Sequence, residues 1–166
     1  MKTITMPSQY GRQRTKPIKK IVWHCMSEII DADGAYYYSV NYLSILGLSA
    51  HAMITPSGVV IRCRKDSQTA YHAKGHNDMS LGVEVLIPGC HNYGEFLKAI
   101  KKPYMTHVQK VALYELFQSW CRKYNLSRAD ICRHSDLSPN KFDPGSGADW
   151  SQLEDAYRLE NEKEEL

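Results

Sequence analysis

Nowhere does this 166-residue chain reach the roughly 20 consecutive apolar residues of a membrane span, so no spanning helix is expected. The amino end, MKTITMPSQYGRQRTKPIKK, lacks the apolar stretch of a secretory signal, and a cytoplasmic protein without signal peptide is expected. Internal repeats and long low-complexity tracts are missing too, which leaves one ordinary domain as the simplest organisation. The five cysteines (Cys25, Cys63, Cys90, Cys121, Cys132) are odd in number and contain no CxxC pair. Reduced, mostly buried thiols are therefore expected rather than a disulfide framework. Charge of one sign is scarce: 21 Lys and Arg face 18 Asp and Glu, a net charge of +3. That excess is too mild for a polybasic nucleic-acid binder, and nucleic acid is not the expected partner. No HExxH helix is present, which removes the main support for a zincin protease. Phenylalanine is rare, 3 against 11 tyrosines, so aromatic surface here carries polar tips and suits a groove.

A hydrophobic content of 43% is enough for a real core. Charge is segregated to the two ends. The first twenty residues hold Lys2, Arg12, Arg14, Lys16, Lys19 and Lys20 and no acid, whereas the segment from about residue 154 is acidic. A solvated arm over 1–19 and a solvated helix end are the plain reading. Attraction of the arm to an anionic surface, such as a cell envelope or nucleic acid, is the functional one. Between the ends, IVWHC at 21–25 and LGVEVLI read as buried strands. SVNYLSILGL reads as a short helix closed by Gly47. AHAMITPSGVVIRCR reads as a hairpin turning at Pro56 and Gly58. Thr106 to Gln109 forms a capping box ahead of a helical stripe of Leu113, Leu116, Phe117, Trp120 and Tyr124, which predicts core packing. ADICRH at 129–134 is a further short strand, and a terminal helix starts at Trp150. The expected fold is α/β, a single domain with a mixed central β-sheet flanked by helices.

Of the seven histidines, two stand where chemistry is easiest. His24 closes the IVWH run and His134 closes the ICRH run, places where a side chain faces a cleft on a fixed backbone. Asp143 follows closely, held by the stiff turn of Pro144 and Gly145. Two imidazoles and a carboxylate make a three-ligand catalytic zinc set with a fourth position open. A structural zinc or a polar core cluster is the competing reading, and Cys132, on the strand face of His134, is the one plausible extra ligand. Cys25 points the other way and reads as core. A carboxylate within LGVEVLI, Glu84, is costly there unless it is used or paired.

The segments IVWHCM, SAHAMITPSGVVIRC, AYHAKGHNDMSLGVEV and RHSDLSPNKFDPG, in this order, resemble the zinc-dependent N-acetylmuramoyl-L-alanine amidases of the type-2 amidase family. Phage lysozyme-type amidases and peptidoglycan recognition proteins belong to the same group. The resemblance runs from about residue 20 to about 153 and implies a zinc amidase catalytic domain over 20–166. It places the metal ligands on His24, His134 and Asp143, the catalytic lysine on Lys141, the catalytic glutamate on Glu84 and a substrate-proximal histidine on His72. One family position is not matched. A catalytic Tyr precedes the hairpin histidine in other members, whereas Ala50 precedes His51 here. The Pro-Gly-Cys-His stretch at 88–91 also departs from relatives. The implied reaction is hydrolysis of the amide between N-acetylmuramic acid and L-alanine in peptidoglycan. Glu84 would relay the proton, and Lys141 would face the charge on the tetrahedral intermediate. The expected setting is a monomeric phage endolysin that lyses the host cell, held in the cytoplasm until the membrane is permeabilised. A cytoplasmic muropeptide-recycling amidase and a non-catalytic peptidoglycan-binding module are the alternatives.

Overall fold

The computed structural model of the chain describes residues 1–29, 37–89 and 91–164; Cys90, one of the five thiols, lies outside them. The two apolar runs become the longest strands, β2 (Lys20–Ser27) and β5 (Ser80–Ile87), which pair in parallel at the middle of the sheet. Every residue of β5 is buried, the signature of a strand covered on both faces. The expected hairpin forms from β3 (Ala52–Ile54) and β4 (Val60–Arg62), antiparallel to each other. A short strand β6 (Ile131–Arg133) lies on the outer side of β2, and β1 (Thr3–Thr5) lies on β4. The sheet has six strands in the order β1-β4-β3-β5-β2-β6 and is mixed.

The first nineteen residues do not form a free arm. Besides the β1 pairing, the Arg14 guanidinium donates to the carbonyls of Asp66, Gln68, Asp78 and Ser80 at 2.6–3.0 Å. A planar fork of five N–H donors suits that task, and it lays the segment across the turns preceding β5. Three residues of strand are too short to show in a pattern, so composition pointed to solvent where the backbone found a sheet edge.

Strand periodicity divides the side chains. Ile21, Trp23 and Cys25 of β2, with Leu81, Val83 and Val85 of β5, face a core closed by α3 (His107–Tyr124) and α5 (Trp150–Glu164). Leu113, Leu116, Phe117 and Trp120 are buried there, as the helical stripe predicts. The opposite face carries Leu86 and Met53 beneath α1 (Tyr37–Ile45), whose Val40 and Leu43 complete a smaller cluster. The same face carries His24 and Glu84. Thr106 and Gln109 form the expected capping box, and Gln109 does more. Its buried Nε2 donates to the carbonyls of Ile54 at 3.2 Å and Leu86 at 2.8 Å, tying the helix start to two strand ends. A short helix, α2 (Tyr93–Ala99), capped by Asn92 and Glu95, has no strong apolar period and was not expected.

Candidate metal centre and cleft

His24 sits in the interior of β2 rather than at its end, and Glu84 is its register partner on β5. Neighbours in a parallel pair share a face, so the two side chains project side by side into one cleft. His134 lies one residue beyond β6, at the first position of α4 (His134–Leu137). Its ring centroid stands 4.3 Å from that of His24. Asp143 comes from the loop that follows, and this loop is tied down at several points. Its carbonyl accepts from Ser135 N–H at 3.0 Å, and the Arg133 guanidinium donates to the carbonyls of Gly145 and Ala148. At Gly145 the chain presses so closely on α2's end that a Cβ would stand 2.3 Å from the Ile100 carbonyl oxygen.

The three side chains converge. His24 Nδ1 lies 3.0 Å from His134 Nδ1 and 3.0 Å from Asp143 Oδ2, and His134 Nδ1 lies 3.1 Å from both carboxylate oxygens. Corners of a tetrahedral zinc site with bonds of about 2.0 Å stand about 3.3 Å apart, so the donor set fits in type and spacing. Among the described residues these three form the group able to hold a metal ion. Cys132 is not in it: its Sγ lies 3.8 Å from the Asp130 carbonyl. Cys25 is buried in the main core, as its strand face predicts.

Burial shapes the protonation of the site. It holds the His24 imidazole below its ordinary pKa, so the ring is neutral with a lone pair to offer. Burial alone would raise Asp143, but opposing contacts, led by that with His134, outweigh it and keep the carboxyl below the usual range. Glu84 is pushed well above the carboxylate range, first by burial and then by the nearby Asp143 charge, with Lys141 opposing. Its Oε2 is buried without a hydrogen-bond partner among the described residues. A carboxyl in that condition is poised to exchange a proton. Lys141 lines the same cleft, of about 720 Å³, whose rim also carries Tyr71, Tyr93, Phe96 and Phe142.

His72 forms part of the cleft wall, and its Nδ1 lies 2.9 Å from His24 Nε2. His51 is buried deeper. Its Nδ1 accepts from Gly82 N–H at 3.0 Å, its Nε2 lies 3.0 Å from the Gln68 carbonyl, and burial pushes its pKa down to about 3. It has no contact with the three converging atoms. Residues not singled out from the sequence surround His72: Asn77, Ser80 and Gly82. All three lie inside the AYHAKGHNDMSLGVEV segment, but their contacts join residues five to ten apart through a turn that no periodicity marks.

Three kinds of comparison bear on this arrangement. Among curated proteins none matches the chain. Solved structures share its fold at low identity. LysC, an N-acetylmuramoyl-L-alanine amidase from Clostridium intestinale URNW, superposes with a TM-score of 0.69 at 19% identity, covering 96% of this chain and 98% of its own. AmpD gives 0.71 at 18% identity, over 93% and 94% of the two chains. The Ph2119 endolysin from the Thermus scotoductus MAT2119 bacteriophage Ph2119 gives 0.66 at 16%, over 89% of each. The family model for N-acetylmuramoyl-L-alanine amidase matches residues 14–146, a span that contains every residue of the convergent site. With that span matched over most of its length, the chain belongs to the N-acetylmuramoyl-L-alanine amidase family known as Amidase_2.

Proposed function

We propose that this protein is a zinc-dependent N-acetylmuramoyl-L-alanine amidase that hydrolyses the amide between N-acetylmuramic acid and L-alanine of peptidoglycan. The observation that carries the reading is the meeting of His24 Nδ1, His134 Nδ1 and Asp143 within 3.1 Å, beside Glu84 in one cleft. These three residues would hold the ion, which supplies a Lewis acid and an activated water when bound. Glu84 Oε2 accepts a proton as the nucleophile attacks and returns it to the departing alanine nitrogen. Burial and the neighbouring Asp143 charge raise its pKa, which favours holding that proton until it is handed on. Lys141, at the cleft edge, directs an ammonium toward the oxygen on which negative charge develops. The tyrosine and phenylalanine rings of the rim offer apolar surface with polar tips to a glycan and its peptide, and His72 walls the inner side.

The setting we propose is lysis of a host cell by a phage endolysin; two structural neighbours are named endolysins, one of them from a bacteriophage. A second setting, cleavage of soluble muropeptides for recycling, is supported by the likeness to AmpDh3 from Pseudomonas aeruginosa, solved in complex with an anhydromuramic pentapeptide. One assay series addresses both activity and setting: sacculus turbidity and release of peptide from soluble anhydro-muropeptides, before chelation, after it and after zinc is restored. Turnover lost with the metal and regained with zinc is the expected result. Turnover that survives complete metal removal overturns the metal reading, and none with zinc bound leaves a binding module. Efficient cleavage of the soluble species alone overturns the endolysin setting.

A further inference from the structure

The geometry points to a positioning role for His72: with Ser80 and the His76 carbonyl it forms a one-way hydrogen-bond relay that fixes the tautomer of His24. This rests on the metal reading above and concerns the chain's own residues toward that ion. Direction follows from the far end inward. The His76 carbonyl can only accept, so the Ser80 hydroxyl, 2.8 Å away, spends its single proton there. Ser80 Oγ must then accept from His72 Nε2, 3.2 Å away. A neutral imidazole carries one proton, so His72 Nδ1 is bare and accepts from His24 Nε2–H at 2.9 Å. His24 Nδ1 is left with a lone pair and no proton. That lone pair faces Asp143 Oδ2 at 3.0 Å. His134 Nδ1, 3.0 Å from the same lone pair, can donate to it until an ion takes that place, so the relay prepares His24 as a ligand before any ion arrives.

The same short segment holds the His72 ring in place. Asn77 Oδ1 accepts from the backbone N–H groups of His72 and Ala73, at 3.0 and 2.7 Å, which closes the turn behind the ring. The ring lies flat against β5 at Gly82, where any Cβ would fall 2.5 Å from His72 Cγ and Nδ1. Only glycine leaves room for it. Below, His51 Nδ1 accepts from the Gly82 N–H and fixes that strand position in turn. Both His72 nitrogens are engaged within the protein. Its part in the reaction is therefore exerted through His24 rather than through a nitrogen offered to substrate.

The test separates an acceptor at the Nδ1 position from bulk alone. In His72→Asn an amide oxygen stands near the place of Nδ1, whereas in His72→Leu no acceptor remains. Zinc affinity, read by competition with a chromophoric chelator, is expected to fall about 10–100-fold in His72→Leu, with most of that loss recovered in His72→Asn. Equal affinity in His72→Leu and the native chain overturns the proposal. Nitrogen-15 NMR of the metal-free native protein reads the tautomer directly. His24 is expected to carry its proton on Nε2, and a proton on Nδ1 overturns the proposal even if no variant folds. In Ser80→Ala, whose loss is small in volume, a mixture of His24 tautomers is expected, and an unchanged spectrum shows that the relay does not reach Ser80 and counts against it. A native chain that takes up no zinc defeats the amidase reading instead, while the NMR result still judges the relay separately.

Discussion

Glu84 is the residue at which stability and chemistry pull in opposite directions. Its side chain is buried beside Asp143, and Oε2 has no partner among the described residues. Below about pH 4.5 the carboxyl is protonated in both folded and unfolded chains and costs nothing extra. As pH rises past that point, the unfolded chain releases the proton while the folded protein retains it, so folding loses stability until the raised folded pKa is passed. Glu84→Gln removes this penalty. In metal-free protein the variant is expected to melt at the same temperature as the native chain at pH 4 and above it at pH 8. Turnover at pH 7 is expected to fall about 10²–10⁴-fold, the usual worth of a positioned acid–base group. Calorimetry at the two pH values and a single-substrate assay check both halves. Lys141→Ala is expected to lower turnover about 10²–10³-fold without moving the melting temperature, because the residue is exposed and its loss removes only a charge from the cleft.

Among the elements, α3 shows how a local signal acquires a long-range duty. The Thr106–Gln109 box is readable from four consecutive residues, yet the Gln109 amide also holds Ile54 and Leu86, 55 and 23 positions away. Gln109→Leu keeps the volume and loses both donors, together with the oxygen that accepts from Thr106 N–H, so two buried carbonyls lose their amide partner. A loss of about 2–6 kcal/mol in urea unfolding is expected, at the cost of about 1–3 kcal/mol for each unsatisfied buried group. A loss under about 0.5 kcal/mol shows that water replaces the amide at those strand ends. The loop from α4 to α5 follows a similar plan. Arg133 grips Gly145 and Ala148, so a side chain at the end of β6 keeps Asp143 over the strand that carries His24.

The molecule as a whole buries neutral histidines, which sets its response to acid. His24, His51 and His72 are all held below the ordinary imidazole pKa, chiefly by burial. Above pH 6.5 neither folded nor unfolded chain protonates these rings, and they cost the fold nothing. Below it the unfolded chain takes up protons that the folded chain refuses, and each ring removes about 1.4 kcal/mol of stability per pH unit. For His51 the decline continues down to its folded value of about 3. Metal-free protein is therefore expected to show a urea midpoint that drops steeply from pH 6.5 to pH 5 with more than one proton linked to unfolding. A flat midpoint across that interval is incompatible with the buried neutral rings. The basic start of the chain belongs to the same scale: β1 and Arg14 make it part of the sheet, so truncating residues 1–15 is a structural lesion before it is an electrostatic one.

Much of the layout was legible from the amino acids. The two buried strands, the Pro56–Gly58 hairpin, the capped helix and its apolar stripe are local patterns, and local patterns reflect energies settled between neighbours in the chain. His24, His134 and Asp143 were legible as a set through residue type, the stiff Pro144–Gly145 turn and the order of four motifs. Their 3 Å convergence was not, because 110 and 119 positions separate His24 from its two companions and a sheet register decides where they meet. The proton direction in His72 and Ser80, the seat that Gly82 leaves for a ring, and the capture of Arg14 by four carbonyls depend on the same closure. Pairwise contacts across a fold have no periodicity to betray them, since they are chosen by packing and by the obligation of every buried polar atom to find a partner.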